Sequence, residues 1–181
     1  IYYFRWHTYC KHIKPTEDGY VITEFLPDVP WSGKHNTICC SAGHHFYEGR
    51  WLYNRKYLSD YAEFWFTEGA KPRLYSFWSA DSILALCKVT GDLTVARELY
   101  NGIKNNWLEW EKTNMRECGL FYQIDDRDGM EFSVSGNGYR PTINSYMCGD
   151  ALAISQIARL LGKEDESGLF YDKYSKLKEL I

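Results

Sequence analysis

The chain has 181 residues, which is enough for a sizeable core, and we expect residues 1–181 to form a single domain. A formal net charge of −3 without a basic stripe argues against nucleic acid as a partner. No apolar run approaches the roughly eighteen residues that a membrane-spanning helix needs, so no membrane partner is predicted. Aromatic residues make up 17% of the sequence, an excess that indicates a surface for amphipathic ligands as well as core filling.

The cysteines bear on the redox state of the protein, and the first residues bear on whether the sequence is a piece of a longer chain. Six cysteines occur without a CxxC motif or regular spacing. We therefore expect free, mostly buried thiols and not a disulfide framework or a zinc ribbon. The sequence opens at Ile1 with neither an initiator Met nor a signal-peptide pattern, and we interpret it as a piece of a longer chain.

The first quarter of the chain mixes helical and extended patterns. Residues 2–13 are dense in aromatic side chains and predict a helix or a strand, which ends at Pro15 and a turn over residues 17–19. Residues 20–26 predict a short β-strand that Pro27 closes.

The rest of the chain predicts helices in pairs. Helical patterns run from Asn36 to Trp51 and over residues 55–67. A motif then recurs: each copy is an apolar helix with small residues, followed by a glycine turn and an amphipathic helix. The predicted helical hairpins cover residues 36–67, 75–113 and 144–181. Such hairpins bury their inner faces only against their neighbours, so they predict an all-α fold, part of an (α/α)6 toroid with short β excursions in its loops.

The loop from Asn114 to Ile143 is much longer than an ordinary connection, and loops of this length are usually functional. After a predicted β excursion over residues 119–124, it places four carboxylates between Asp125 and Glu131, close to aromatic residues. Carboxylates on a loop beside aromatic rings are what sugar hydrolysis requires, namely a proton donor near a stacked pyranose. A solvated acidic turn is the alternative; a calcium loop is a weaker one, because the EF-hand pattern fails.

Short motifs in and around this loop resemble a known group of enzymes. The segment Gly129-Met130-Glu131-Phe132-Ser133 resembles the Gly-Trp-Asp-Phe-Ser signature of trehalases and the corresponding segment of family 63 and mannosylglycerate-hydrolase-like glycosidases. The segment over residues 141–147 resembles their Pro-Val-Asp-Leu-Asn segment, and residues 4–8 are a weaker echo of their Tyr-Trp-Asp-Ser/Thr segment.

The resemblance implies a six-hairpin (α/α)6 barrel that hydrolyses glycosidic bonds with inversion. The position that matches the family's general acid is Glu131, where the family has Asp, and Asp128 is the reserve candidate. The family's general base lies on a later hairpin, beyond this chain. The implied partners are an oligosaccharide or glycoside substrate and the remainder of the same barrel. Secretion or a periplasmic location is the expectation, as for many polysaccharide-degrading enzymes.

Aromatic and polar residues near the starts of the inner helices are the candidates for binding the substrate. Trp78 is a candidate stacking platform, and Asn144 is either a helix cap or a sugar ligand. The full set of predicted substrate-binding residues is Arg5, Trp6, Glu48, Arg50, Trp51, Trp78, Asp81, Asn144 and Tyr146.

No metal site or cofactor is expected. Cys39, Cys40, His44 and His45 invite a zinc interpretation, but side chains of vicinal residues point apart and a buried structural role is favoured. No dinucleotide or phosphate loop appears. Three alternatives to a hydrolase stay open: a non-catalytic carbohydrate-binding domain, a helical-repeat interaction protein with Trp78 and Tyr146 on a protein-binding face, and a lyase or isomerase.

Overall fold

The structure is a computed structural model that describes residues 1–129, 134 and 136–181. Its α-helices are α1 (Tyr2–Lys11), α2 (Ala42–Gly49), α3 (Lys56–Phe64), α4 (Ser79–Thr90), α5 (Thr94–Asn114), α6 (Pro141–Leu160) and α7 (Glu164–Leu180). Strands β1 (Ile13–Thr16) and β2 (Gly19–Ile22) form an antiparallel hairpin in which Ile13 is opposite Ile22. The mostly helical fold class that the sequence predicts is confirmed.

Consecutive helices form three hairpins in two layers. Helix α4 packs between α2 and α6, which gives an inner layer, while α3, α5 and α7 lie outside it. Helix α5 contacts both α4 and α6, and α7 packs along α6. This order of inner and outer helices is the arrangement predicted from the repeated motif. No helix in the described part of the chain is long and apolar enough to cross a membrane.

The core accounts for part of the aromatic excess. Trp65, Trp107, Tyr61, Phe46 and Phe170 are all buried. Burial of such side chains contributes about 2–3 kcal/mol each before the cost of ordering them is counted. These buried aromatic residues stabilise the layers, and the aromatic residues outside the core are available for a ligand.

The first helix of the first hairpin begins later than predicted. Instead of one helix from Asn36 to Trp51, the chain makes two short 3₁₀ segments, Lys34–Asn36 and Cys39–Ser41, before α2 begins at Ala42. His35 and Asn36 both have positive φ, which an α-helix does not allow. The predicted strand over residues 20–26 is also shorter, because β2 ends at Ile22.

The inner helices α4 and α6 start at positions that their sequences explain. Pro141 stands at the first position of α6, where its fixed φ suits a helix and its missing N–H is no loss, so α6 starts before Asn144. Helix α4 starts only at Ser79, because Trp78 has non-helical dihedral angles. Gly91 ends α4 in the left-handed conformation, as the glycine turn predicts.

The cysteines are free, but they are not mostly buried. Cys39 and Cys87 are buried and Cys40 and Cys148 are half-buried, whereas Cys10 and Cys118 are exposed.

Candidate functional site

An ion-pair cluster fixes the acidic part of the long loop. Arg140, just before α6, donates Nε to Asp128 Oδ2 at 2.5 Å and Nη1 to Asp125 Oδ1 at 2.7 Å. Ser76, from the connection before α4, donates its hydroxyl to the other oxygen of Asp128. The loop is thus tied to the starts of two inner helices.

This cluster also defines what Asp128 and the acidic turn do. The Asp128 side chain is only 2% exposed and both of its oxygens have partners. That geometry argues against Asp128 as the reserve proton donor and makes it an anchor of the loop. The positive charge between Asp125 and Asp128 is the guanidinium of Arg140. In a calcium loop, a metal ion would occupy that position.

The predicted general acid, Glu131, lies outside the described residues, as do its neighbours Met130, Phe132 and Ser133. The chain on either side is described. Gly129 lies against Cys40, which comes just before α2. The carbonyl of Gly136 accepts a hydrogen bond from Arg140 Nη1 at 2.5 Å. Both flanks of the segment that carries Glu131 are therefore held near the starts of the inner helices.

An aromatic wall lies at the same end of the inner layer. The Trp78 ring is 4.4 Å from that of Tyr146 on α6 and 4.8 Å from that of His44 on α2, measured between centroids. Gly43 allows this close approach, because a Cβ at that position would overlap the Trp78 indole. Burial raises the pKa of Tyr146, and the nearby Asp128 and Cys40 raise it further, which shows that the wall adjoins the loop cluster.

Asp81 stands one turn into α4, next to this wall. Its Oδ2 accepts a hydrogen bond from the Tyr47 hydroxyl at 2.5 Å. Burial and then this hydrogen bond raise the pKa of Tyr47 to about 12, so the hydroxyl keeps its proton. An open cavity of about 160 Å³ is lined by Trp78, Asp81, Ser145, Tyr146 and Gly149. This cavity presents an aromatic face and a carboxylate together, which is the combination that binds sugars.

A second carboxylate, Asp150, lies beneath Asp81. It is on α6, is buried, and accepts a hydrogen bond from the Asp81 backbone N–H at 2.9 Å. Backbone N–H groups of Ala80 and Ser79 also bond it, so Asp150 caps the start of α4 from a neighbouring helix. Burial outweighs these donors and raises the pKa of Asp150 to about 8. Asp150 therefore carries a proton at neutral pH.

The other predicted substrate-binding residues fall into separate places. Arg5 and Glu48 form a bidentate pair with distances of 2.6 and 3.0 Å, in a different cavity between α1 and α2. Trp6 does not line that cavity and packs edge-on against Tyr9. Two more lie near the far end of α2: the guanidinium of Arg50 lies 4.4 Å from the centroid of the Tyr47 ring and 5.3 Å from that of Trp51, which is 63% exposed.

Asn144 differs from its prediction as a sugar ligand or helix cap. It is 3% exposed and lies in the first turn of α6. Its amide oxygen accepts from the Phe121 N–H, and its amide nitrogen donates to the carbonyls of Phe121 and Arg140. The amide of Asn144 thus ties the loop to the start of α6.

Among the residues that the structure describes, no group that could hold a metal ion gathers at this site. The side chains of Cys39, His44 and His45 diverge toward Tyr75, Trp78 and Glu24, as expected for neighbours along the chain. Within the described ranges, Glu17, Asp18 and His35 place potential ligand atoms within 4.8 Å of one another. Lys34 already forms an ion pair with Asp18 there, so the cluster has a cation of its own.

Several site residues were absent from the predicted set. Arg140, Tyr47 and Asp150 position the loop, Asp81 and the start of α4, respectively. One signal was available: Asp81 and Asp150 occupy equivalent positions in the two copies of the repeated motif. No sequence motif marks Arg140, because its partners Asp125, Asp128 and Gly136 all lie in an irregular loop.

Comparisons with known proteins identify the family and the fold. The family model described as "Mannosylglycerate hydrolase MGH1-like glycoside hydrolase domain" matches residues 34–181. A solved structure titled "Sialidase" is similar at 40% sequence identity with a TM-score of 0.95, covering 99% of this chain and 18% of that chain. The chain thus spans less than a fifth of the length of that relative. None of the curated proteins matches.

Proposed function

This chain belongs to the mannosylglycerate hydrolase MGH1-like glycoside hydrolase family, and we propose that the protein containing it hydrolyses a glycosidic bond in an oligosaccharide or glycoside. The proposed reaction is inverting: Glu131 protonates the departing oxygen while a carboxylate on a later hairpin activates water. Trp78 and Tyr146 hold a sugar ring against the aromatic wall, and Asp81 binds its hydroxyls.

The observation that carries this proposal is the pairing of Arg140 with Asp128 and Asp125. Because Arg140 also binds the Gly136 carbonyl, both ends of the segment with Glu131 are fixed beside the aromatic wall. A general acid works only when it is held within hydrogen-bond reach of the leaving oxygen, and a loop tied at both ends supplies that restraint.

Replacement of Glu131 tests the proposal in the full-length protein. We expect Glu131→Gln to lower kcat by about a hundredfold or more on a glycoside with a poor leaving group, because general acid catalysis contributes about 10²–10⁴-fold. The matched control is Asp126→Asn, since Asp126 is an exposed carboxylate of the same loop whose contact with Arg127 is long, at 3.8 Å. Substrates come from a panel of α- and β-linked oligosaccharides.

The anomer of the released sugar tests the stereochemistry. NMR spectra recorded within the first minutes of hydrolysis are expected to show the anomer opposite to that of the substrate. Full activity of the Glu131→Gln variant would overturn the assignment of the acid, and it would favour a non-catalytic carbohydrate-binding role for this chain. Retention of configuration would overturn the inverting mechanism.

A further inference from the structure

A second polar cavity lies on the other side of α2 from the aromatic wall. Its volume is about 250 Å³, and it opens between α1, the end of β2 and α2. Its lining combines carboxylates, a guanidinium, an imidazole and apolar surface; the residues that matter here are Arg5, Tyr9, Ile22, Glu24, His45 and Glu48. The predicted mechanism uses none of its acidic groups for catalysis.

Glu24 is held in this cavity with one oxygen in use and one available. Its Oε2 accepts a hydrogen bond from Ser41 Oγ at 2.7 Å and lies 3.3 Å from His45 Nε2. Oε1 has no hydrogen-bond partner in the part of the chain that the structure describes. The hydrogen bond from His45 holds the pKa of Glu24 below its ordinary value, so the side chain stays a carboxylate at neutral pH.

A buried tyrosine fixes the orientation of the imidazole. The Tyr61 hydroxyl lies 3.2 Å from His45 Nδ1, and burial raises the pKa of Tyr61 far above its ordinary value. Tyr61 therefore keeps its proton and donates a hydrogen bond to Nδ1, which orients the Nε2 side of the ring toward Glu24. This chain of contacts presets Glu24 without any ligand, as a binding site for hydroxyl groups requires.

The charge balance of the cavity decides what kind of sugar it suits. The Arg5 guanidinium is occupied by Glu48 in a bidentate pair, so its charge is neutralised. With the lining histidines His12 and His45 neutral, Glu24 leaves the cavity with a net negative charge. A sugar carboxylate would be repelled, whereas a neutral hydroxyl can donate a hydrogen bond to the carboxylate.

The position of this cavity relates it to the candidate active site. His44 and His45 are consecutive in the first turn of α2; His44 contacts Trp78 of the aromatic wall, while His45 contacts Glu24. We propose that the cavity is an additional subsite that binds a neutral, hydroxyl-bearing sugar unit of the substrate, with Glu24 as its hydroxyl acceptor. This proposal rests on the proposed function, because the sugar unit is part of the same substrate.

Saturation-transfer NMR on the full-length protein tests the subsite without any turnover. The probes are glucose, galactose, mannose, xylose and fucose, compared with galacturonic acid and N-acetylneuraminic acid. We expect at least one neutral sugar to bind and both acids to give no signal. Glu24→Gln removes the charge but keeps an acceptor for Ser41, and it is expected to weaken that binding about tenfold. The matched control is Glu98→Gln, an exposed glutamate of α5.

A second pair of variants blocks the cavity without changing Glu24. Thr8 lines the cavity from α1, and its hydroxyl donates a hydrogen bond to the Phe4 carbonyl of the same helix. Thr8→Trp is expected to abolish the signal, and His7→Trp, which adds the same ring outside the cavity lining, is expected to preserve it. Binding that neither Glu24→Gln nor Thr8→Trp weakens, a preference for the acids, or no neutral-sugar signal overturns the proposal. Because monosaccharide binding is independent of hydrolysis, it is measurable whatever Glu131→Gln does to activity.

Discussion

Asp150 of α6 accepts a hydrogen bond at 2.9 Å from the backbone N–H of Asp81, the residue at the equivalent position of the preceding hairpin. The two copies of the motif thus use the same residue differently. Asp150 is buried and caps a neighbouring helix, while Asp81 reaches the cavity and binds Tyr47. Two members of one repeat therefore differ in position: one caps a helix in the core and the other lines a cavity.

The raised pKa of Asp150 predicts a pH-dependent stability. The ordinary pKa is 3.8 and the pKa in the fold is about 8, so the fold retains a proton that the unfolded chain releases. This contribution to stability is complete below about pH 4 and is lost as the pH rises to about 8. Asp150→Asn has no such proton to lose. We expect its melting temperature, relative to wild type, to rise by about 3 °C or more between pH 5 and pH 8.5.

Calorimetry of the full-length protein at several pH values measures this difference, with Asp126→Asn as a control whose carboxylate is exposed. Parallel curves for wild type and Asp150→Asn would show that the carboxylate is ionised in the fold throughout this range, held by the amide groups of α4.

Loss of the Asp128 carboxylate is expected to release the long loop. Asp128→Asn removes the negative charge that Arg140 pairs with and leaves the guanidinium buried. Breaking a buried ion pair in this way is expected to lower the free energy of unfolding by about 3 kcal/mol. Hydrogen–deuterium exchange of residues 125–140 is expected to accelerate by more than about tenfold, together with a loss of activity. Glu109→Gln, which removes a long surface pair with Lys112, serves as the control and is expected to change neither. Unchanged exchange in Asp128→Asn would mean that other contacts hold the loop.

Gly43→Ala is expected to disturb the aromatic wall. The added methyl group would overlap the Trp78 indole, so the ring has to move away from α2. We expect a rise in KM of about tenfold, because stacking and shape complementarity at the sugar are lost. Gly168→Ala in α7 is the control, since a Cβ there meets nothing within 4 Å and the change favours the helix. A KM equal to that of wild type would place the substrate away from Trp78.

Asn144→Ala distinguishes a structural from a ligand role for this residue. Its amide makes hydrogen bonds with Phe121 and Arg140, so its loss is expected to destabilise the fold by about 2–3 kcal/mol. Asn101→Ala, at an exposed position of α5, is expected to have almost no effect on the free energy of unfolding. Urea unfolding measures both values. A rise in KM with no loss of stability would restore the interpretation of Asn144 as a sugar ligand.

The helical hairpins could be predicted from sequence because their signals are local. Periodic apolar residues and the glycine turn at Gly91 define α4 and α5 without knowledge of any distant contact. The family was also accessible, since the Gly129–Ser133 segment resembles a known signature, and the match over residues 34–181 confirms it. The segment before α2 was misread because the helical pattern of the following residues was extended back to Asn36, whereas Asn36 uses its side chain to bond the Phe25 carbonyl.

The site was harder to predict, since its geometry depends on contacts between distant residues. Asp128 meets Ser76 and Arg140 only after folding, so an acidic residue on a loop could not be recognised as a buried anchor. The bonds of Asn144 could not be predicted for the same reason, because its partner Phe121 lies across the loop. Trp78, Asp81 and Tyr146 do line one cavity. Their roles in binding, like that of Glu131 in catalysis, stay predictions.

The cap that Asp150 places on α4 limits how far this architecture can be divided. A chain cut between α5 and α6 would keep the whole second hairpin, yet it would lose the acceptor for the amides of Ala80 and Asp81, and Trp78 would lose its neighbour Tyr146. The smallest piece that keeps Trp78 beside Tyr146 therefore includes two successive hairpins. A single hairpin grafted into another barrel would therefore carry its helices but only part of the aromatic wall.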